Sequence, residues 1–166
     1  MQTAHLILEP HHPQHLLALL ESPERYESAS GRAAAEGLQD FLRSASPDYL
    51  ASLREAPGPD EWKFGYAIIE RESRMVVGLC GFAAPPDPNG AIEIAYGIAP
   101  SFQRRGYATE AAQALIEIAR SNPAVQLICA HTLAEPNAST RVLEKCGFRK
   151  VGELQEDDDR IWRWEK

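Results

Sequence analysis

The chain has 166 residues, of which 44% are hydrophobic and 25% are charged, and its net charge is −7. This length and balance favour one domain, spanning residues 1–166, around a single hydrophobic core. The acidic charge argues against a nucleic-acid partner, because binding to a phosphate backbone requires a basic surface.

The composition along the chain also argues against membrane, metal and disulfide chemistry. No apolar stretch approaches the roughly 20 residues that a membrane-spanning helix needs, and the N-terminus lacks the layout of a signal peptide. We therefore expect a cytoplasmic protein with no membrane partner. The three cysteines lie in unrelated segments and are expected to be reduced thiols. His11, His12 and His15 lack a suitably spaced acidic or thiol partner, so we interpret them as surface histidines and expect no metal.

The first half of the chain predicts a strand, several helices and a pair of strands. His5–Leu8 is a short apolar segment typical of a strand, and Pro13–Leu20 is a helix with proline in its first turn. Residues 22–56 form helical pieces interrupted by prolines and glycines. Trp62–Glu70 and Met75–Phe82 predict an antiparallel hairpin.

The middle of the chain carries the clearest periodic patterns. Ala91–Ile98 alternates strictly, with isoleucines on one face and Glu93 among small residues on the other, which indicates a strand. From Ala108 to Ala119, apolar residues recur at helical spacing, and Pro123 marks the end of this amphipathic helix.

The last third predicts a buried strand, a helix and a closing hairpin. Val125–Leu133 is apolar and β-branched, and Pro136–Cys146 has one apolar helical face. Phe148–Val151 and Arg160–Trp164 are expected to be strands around a solvated acidic turn from Glu153 to Asp159. The order of elements predicts a mixed α/β sheet with helices on its faces.

The segment between the Ala91–Ile98 strand and the following helix suits a pyrophosphate. Gly106 and Ala108 allow a ligand to approach the backbone closely, and the helix that begins there directs unpaired N–H groups at anionic oxygens. Arg104 and Arg105 add positive charge.

Two motifs resemble those of the GNAT superfamily of N-acetyltransferases. Gln103–Ala108 resembles the acyl-CoA motif: Gln or Arg, two variable residues, Gly, one variable residue, then Gly or Ala. Further along, Asn137 and Ser139 precede Leu143–Phe148, which resembles the family's Leu-Glu-Lys-x-Gly-Phe ending. The match covers roughly residues 62–152 and is most similar to the RimJ- and RimL-like branch, which acetylates protein N-terminal amines, including those of ribosomal proteins.

The resemblance implies a fold and an activity. The fold is a mostly antiparallel central sheet of six to seven strands, flanked by helices and splayed between the fourth and fifth strands. The activity is direct acetyl transfer from acetyl-CoA to a primary amine, without a covalent enzyme intermediate. The acceptor is expected to be a ribosomal or other protein N-terminus, and the enzyme a monomer or homodimer. A small-molecule amine acetyltransferase, acting on a polyamine, aminoglycoside or metabolite, and a non-catalytic acyl-CoA sensor remain as alternatives.

The resemblance also assigns roles to individual residues. Glu93 is the candidate base, with a water-exposed edge position or a salt bridge as the alternative. Ser139 is the candidate proton donor for the leaving thiolate, because no tyrosine follows Tyr107; the alternative is that Ser139 only satisfies the first turn of its helix. The residues expected to contact the cofactor are Ile98, Ala99, Gln103, Arg104, Arg105, Gly106, Tyr107, Ala108, Thr109 and Asn137.

Overall fold

The computed structural model describes residues 1–156 and 158–166 and is built on a seven-stranded sheet with the strand order β1-β2-β3-β4-β5-β7-β6. The strands are β1 (Leu6–Pro10), β2 (Tyr66–Glu70), β3 (Val76–Phe82), β4 (Ala91–Ile98), β5 (Leu127–Leu133), β6 (Arg149–Glu156) and β7 (Asp159–Glu165). Neighbouring strands are antiparallel except β4 and β5, which are parallel. The mixed, mostly antiparallel sheet predicted from the sequence is confirmed.

Seven α-helices flank this sheet in the described ranges. They are α1 (Pro13–Glu21), α2 (Pro23–Ser30), α3 (Leu38–Arg43), α4 (Pro47–Glu55), α5 (Glu61–Phe64), α6 (Tyr107–Ser121) and α7 (Ala138–Lys145). None of these helices is long and apolar enough to cross a membrane.

Prolines open three of the early helices rather than interrupting them. α1, α2 and α4 each begin with proline directly after a capping residue, namely His12, Ser22 or Ser46. Each capping side chain accepts a hydrogen bond from a first-turn N–H, and proline at the first helical position loses no helical hydrogen bond.

The segment Trp62–Phe64, which the sequence pattern assigned to a strand, is helical. Asp60 Oδ1 accepts a hydrogen bond from the Trp62 N–H at 3.0 Å and caps α5. Gly65 then has φ of 67° and ψ of −149°, a combination open mainly to glycine, and this ends the helix before β2 begins. The capping aspartate and the terminating glycine therefore outweigh the aromatic composition of this segment.

The closing hairpin is longer than its predicted strands. β6 extends through Glu156, so the turn expected from Glu153 to Asp159 is shorter, and Asp157 lies outside the described residues. Glu153 is paired rather than simply solvated, since its carboxylate oxygens lie 3.0 Å from Arg160 Nη1 and 3.0 Å from Trp162 Nε1.

The two faces of the sheet carry separate hydrophobic clusters. On one face, Ile92 and Ile94 of β4 pack with the buried residues of α6 and α7. On the other face, Leu79 of β3 packs with the buried residues of α1, α3 and α4. Because side chains alternate along a strand, Glu93 points to the second face. This helical layer, α1 to α4, therefore covers the face that carries the candidate base.

Candidate functional site

The sheet opens where β4 and β5 diverge. The two strands pair over only three positions, from Ala91 opposite Leu127 to Glu93 opposite Cys129. Beyond Glu93, β4 remains paired with β3 as far as Ile98, and β5 remains paired with β7. One backbone edge of β4 is therefore left beside a gap, at the position where a splay was predicted.

A cleft of about 640 Å³ extends from this gap between the start of α6 and α7. Its lining includes many of the predicted site residues. These are Ile98, Gln103, Arg104, Gly106, Tyr107, Ala108, Thr109 and Ser139. The fold thus brings together two sequence motifs that are about 30 residues apart along the chain.

The N-terminus of α6 is arranged to receive an anion. Gly106 has φ of 86°, and no side chain of the described residues caps this 15-residue helix. A Cβ atom at Gly106 would meet no other atom within 4 Å, so the glycine is required for its conformation and the space above it is open. The first-turn N–H groups and the helix dipole favour a negative group there.

Cationic side chains surround the same opening. Arg104, Arg141 and Lys145 line the cleft. Arg104 has φ of 61°, an uncommon conformation for a residue with a side chain and one that occurs preferentially at binding sites. A helix N-terminus with three adjacent cations fits a ligand that carries several phosphates, as coenzyme A does.

Three residues predicted to contact the cofactor lie outside the cleft lining. Ala99 is buried, its N–H donates to Val77 O at 2.9 Å, and its carbonyl accepts from Phe102 N at 2.9 Å. Both backbone groups of Ala99 are therefore already bonded within the protein. The Arg105 guanidinium lies 4.7 Å from the Phe102 ring centroid and 3.6 Å from a Glu70 carboxylate oxygen. Asn137 caps α7.

A buried carboxylate anchors the first residue of α6. The Tyr107 hydroxyl donates to Glu70 Oε1 at 2.5 Å, and the Ser73 hydroxyl donates to Glu70 Oε2 at 2.6 Å. The hydrogen bonds from Ser73 and then Tyr107 lower the pKa of Glu70, although burial opposes this shift. Glu70 therefore holds the start of α6 in place from the end of β2.

Glu93 is paired with a histidine that the sequence reading missed. His131 Nδ1 lies 2.8 Å from Glu93 Oε1, and both side chains are partly buried, at 24% and 35% exposure. His131 Nε2 is buried and has no hydrogen-bond partner among the described residues. A histidine two positions after Cys129 in a mostly apolar strand was the available signal. Its partner follows only from the structure, where Glu93 pairs with Cys129 across the sheet and the His131 ring reaches the Glu93 carboxylate.

The start of α7 leaves the Ser139 hydroxyl free of a capping role. Asn137 Oδ1 accepts from the Thr140 N–H at 3.0 Å, and Thr140 Oγ1 accepts from the Asn137 N–H at 3.1 Å, which together form a capping box. Ser139 faces the cleft, and its carbonyl accepts from the Tyr96 hydroxyl at 3.4 Å. The structure therefore disfavours the interpretation of Ser139 as a first-turn cap.

The thiols near the site are poor nucleophiles. Cys129 lies opposite Glu93 in the sheet, and burial followed by the Glu93 charge raises its pKa. Burial likewise raises the pKa of Cys146, which packs beneath α6. A raised pKa keeps each thiol protonated, and the thiolate is the nucleophilic form.

A second cavity of about 410 Å³, here called the α1–α4 cavity, lies on the Glu93 face of the sheet. Ala95, two residues after Glu93, lines it from β4, and Phe41 of α3 lines both this cavity and the cleft. Phe41 reaches the cleft because position 97 is glycine: a Cβ there would lie 2.6 Å from the Phe41 ring. The cavity and the cleft therefore meet along β4.

His11 lines the α1–α4 cavity and corrects the prediction of three surface histidines. It is 3% exposed, and its Nε2 has no hydrogen-bond partner among the described residues. Burial, followed by the nearby His15, lowers the pKa of His11 to about 3, so the ring is neutral at physiological pH. Across residues 1–156 and 158–166, no group of three or more His, Cys, Asp or Glu side chains is placed to hold a metal ion.

Comparison with known proteins identifies one family model and several relatives. The model of the acetyltransferase (GNAT) domain matches residues 5–149. The uncharacterized N-acetyltransferase YjdG of Bacillus subtilis is 40% identical over 101 residues, which are 61% of this chain and 58% of YjdG. The matched region therefore spans little more than half the length of this curated relative.

Solved structures share the whole fold at low sequence identity. RimL, a ribosomal L7/L12 alpha-N-protein acetyltransferase in complex with coenzyme A, superposes with a TM-score of 0.67 at 16% identity, covering 99% of this chain and 94% of RimL. A spermidine N-acetyltransferase SpeG chimera from Vibrio cholerae and hSSAT superposes with a TM-score of 0.65 at 16% identity, covering 98% of this chain and 95% of the chimera. Enzymes named for different acceptors thus share this architecture, so the fold alone does not select the acceptor.

Proposed function

Since the chain belongs to the acetyltransferase (GNAT) family, we propose that it transfers an acetyl group from acetyl-CoA to a primary amine at the N-terminus of a protein or peptide. The observation that carries this proposal is the glycine-led, uncapped N-terminus of α6, which opens onto a cleft that reaches the gap between β4 and β5.

The residues of the cleft would hold the acetyl donor by its phosphates and its amide arm. The N–H groups from Tyr107 onward, with Arg104 and Lys145, suit the phosphates. The open edge of β4 suits the amide-containing arm, because an extended ligand can pair there as a partial strand. Acetyl-CoA supplies a thioester, and holding it in line with the amine removes much of the entropic barrier to transfer.

We assign the removal of the proton from the attacking amine to Glu93 and its partner His131. Glu93 accepts it directly or through a water molecule, and the hydrogen bond from His131 Nδ1 orients the Glu93 carboxylate. In the balanced reaction the amine nitrogen bonds to the carbonyl carbon and the carbon–sulfur bond breaks. The amine proton passes to the Glu93–His131 pair, which then releases it to solvent, so that one proton is lost from nitrogen and one is gained by sulfur.

We assign Ser139 as the group that protonates the leaving sulfur: its hydroxyl donates a proton to the thiolate and takes up a proton from a water molecule, so that no alkoxide is left. Its hydroxyl belongs to the cleft lining and is not needed to cap α7. No covalent acetyl-enzyme is required, and the raised pKa values of Cys129 and Cys146 support direct transfer.

Release of free CoA in the presence of different amines tests this proposal. The expected result is CoA release that depends on a peptide with a free N-terminal amine and that is abolished when the same peptide is already N-acetylated. Tight binding of acetyl-CoA with no consumption by any peptide or small amine would refute transfer and support the acyl-CoA sensor. Consumption only with polyamines, aminoglycosides or metabolites would refute the peptide acceptor.

A further inference from the structure

The α1–α4 cavity lies where an acceptor must approach the candidate base. Glu93 and Ala95 project from the same face of β4, and residues two apart in a strand are separated by about 7 Å. The N–H of Ala83, another residue of the lining, donates to the Glu93 carbonyl at 3.0 Å. The cavity thus begins beside Glu93, on the face of the sheet opposite α6 and α7.

The wall of this cavity is apolar and lacks a counter-ion for a cation. Leu42, Phe64, Leu79 and Phe82 supply much of the lining, and none of the lining residues that the structure describes is Asp or Glu. Its one amine-bearing side chain, Lys63, is itself positive and lies 5.4 Å from the Phe64 ring centroid. An acceptor with a second ammonium group would have to leave that charge unpaired in an apolar space, which is costly.

A buried hydrogen-bonding group is also available in the wall. His11 is neutral and almost completely buried, and its Nε2 is unpaired within the described residues. A neutral imidazole offers one donor and one acceptor, so it can pair with the N–H or the carbonyl of an amide. An unpaired buried polar atom is rare in folded proteins, and an amide in the cavity would satisfy it.

From these observations we infer that the acceptor is a peptide whose first residue has an uncharged, apolar side chain, which occupies the α1–α4 cavity while the first peptide group bonds to His11. The inference rests on the proposed function and specifies its acceptor. The cavity volume of about 410 Å³ suits a side chain of leucine or phenylalanine size together with an adjoining amide.

The direct test compares peptides that differ only in their first residue. Acetyl transfer and calorimetric binding to the CoA-loaded enzyme are measured for four peptides and for spermidine. The peptides are identical except for their N-terminal residue, which is Leu, Phe, Lys or Asp, and are called Leu-, Phe-, Lys- and Asp-headed. The expected kcat/KM for the Leu- and Phe-headed peptides is about tenfold to a hundredfold higher than for the others, the factor expected from burying a side chain of that size. Equal or better use of the Lys-headed peptide or spermidine would overturn the inference.

The two readouts separate this inference from the proposed function. Preferential binding of apolar-headed peptides without acetyl transfer would refute the transferase proposal and support the assignment of the cavity. Acetyl transfer without preference for an apolar first residue would support the transferase and refute the assignment.

A charge inserted into the cavity provides a gain-of-function test. Ala45 lines the cavity and is half-buried, so Ala45→Asp should place a carboxylate in it. We expect the ratio of kcat/KM for the Lys-headed over the Leu-headed peptide to rise at least about tenfold. The matched control is Ala51→Asp, which makes the same charge change on an exposed helical position outside the lining. If both variants change the ratio equally, the cavity is not the acceptor pocket.

The contribution of His11 is tested with an acceptor that lacks the amide. Wild-type enzyme should use a Leu-headed peptide at least about tenfold better than 3-methylbutylamine, which has the same apolar group and amine but no peptide bond. His11→Phe should reduce that preference while leaving the affinity for acetyl-CoA unchanged. If His11→Phe still prefers the peptide over 3-methylbutylamine to the same extent, the hydrogen bond to His11 is refuted. If His11→Phe still prefers peptides with an apolar first residue over those with a charged one, the cavity is still folded in this variant.

Discussion

Mild acid should destabilise the folded protein through His11, and the size of the effect can be worked out. Burial lowers the pKa of His11 to about 3 in the folded state, whereas an imidazole in an unfolded chain has a pKa of about 6.5. When the pH lies between these two pKa values, the unfolded state binds more protons than the folded state. The stability that His11 contributes is therefore fully present above about pH 6.5 and is lost as the pH falls toward about 3.

From these two pKa values, the free energy of unfolding should fall by about 2 kcal/mol between pH 7 and pH 5. The fall is about 1.4 kcal/mol for each pH unit that lies well between the two pKa values. Urea unfolding followed by circular dichroism should show it. With a slope of about 2 kcal/mol per molar urea, the wild-type midpoint should fall by about 1 M more than that of His11→Asn over this pH change.

His12→Asn is the matched control for this experiment. Asparagine can replace His12 as the cap of α1, and His11 is retained, so the wild-type pH dependence should also be retained. Equal midpoint shifts in wild type and His11→Asn would refute the argument. If His11→Asn does not fold, an NMR titration of the wild-type ring decides: a His11 resonance that titrates near pH 6 would mean that the ring is accessible to protons in the folded state.

Substitutions at Gly106, Glu93 and Ser139 test the catalytic and cofactor assignments, with Thr140 as a control position. Gly106→Ala forces a side chain into a left-handed conformation and should lower the free energy of unfolding by about 1 kcal/mol. Gly106→Asp should also abolish acetyl-CoA binding in calorimetry, because it places a negative charge where the phosphates are proposed to bind. Normal acetyl-CoA affinity in Gly106→Asp would contradict the phosphate assignment. Glu93→Gln should lower kcat by about 10² to 10⁴ with acetyl-CoA affinity unchanged, and a kcat near wild type would remove Glu93 as the base. Ser139→Ala should lower kcat by a factor of about 10² or more without loss of stability. The control Thr140→Ala breaks the capping box, so it should lower the free energy of unfolding by about 1 kcal/mol and leave kcat unchanged. Equal kcat values in the two variants would contradict a proton-donor role for Ser139.

The parts of the fold that were predictable from sequence are those with local causes. The alternation of Ala91–Ile98 and the helical spacing after Gly106 each depend on a few consecutive residues, and both elements form where they were expected. The boundaries of α5 depended instead on the competition between Asp60 as a cap and the aromatic residues that follow it. Sequence periodicity does not show which of these two effects is the stronger.

The partners of the site residues depend on tertiary packing and were not predictable. Glu93 and His131 are 38 positions apart and meet because β4 and β5 pair in parallel for three residues. His11 cannot be told apart from His12 and His15 in the sequence, yet those two are only partly buried, whereas the packing around the α1–α4 cavity buries His11. A single sequence specifies which face a strand residue occupies, but not which residue of a distant strand lies beside it.

The position of Glu93 at the last paired residue before the gap has a mechanistic consequence. The cleft beside α6 and α7 reaches the gap from one face of the sheet, and the α1–α4 cavity reaches it from the opposite face. A donor and an acceptor bound in these two places would approach each other through the sheet rather than compete for one pocket. Both would then be bound at once, as direct transfer requires. Steady-state kinetics should accordingly give intersecting rather than parallel double-reciprocal lines, and parallel lines, the signature of a ping-pong mechanism, would require a covalent intermediate.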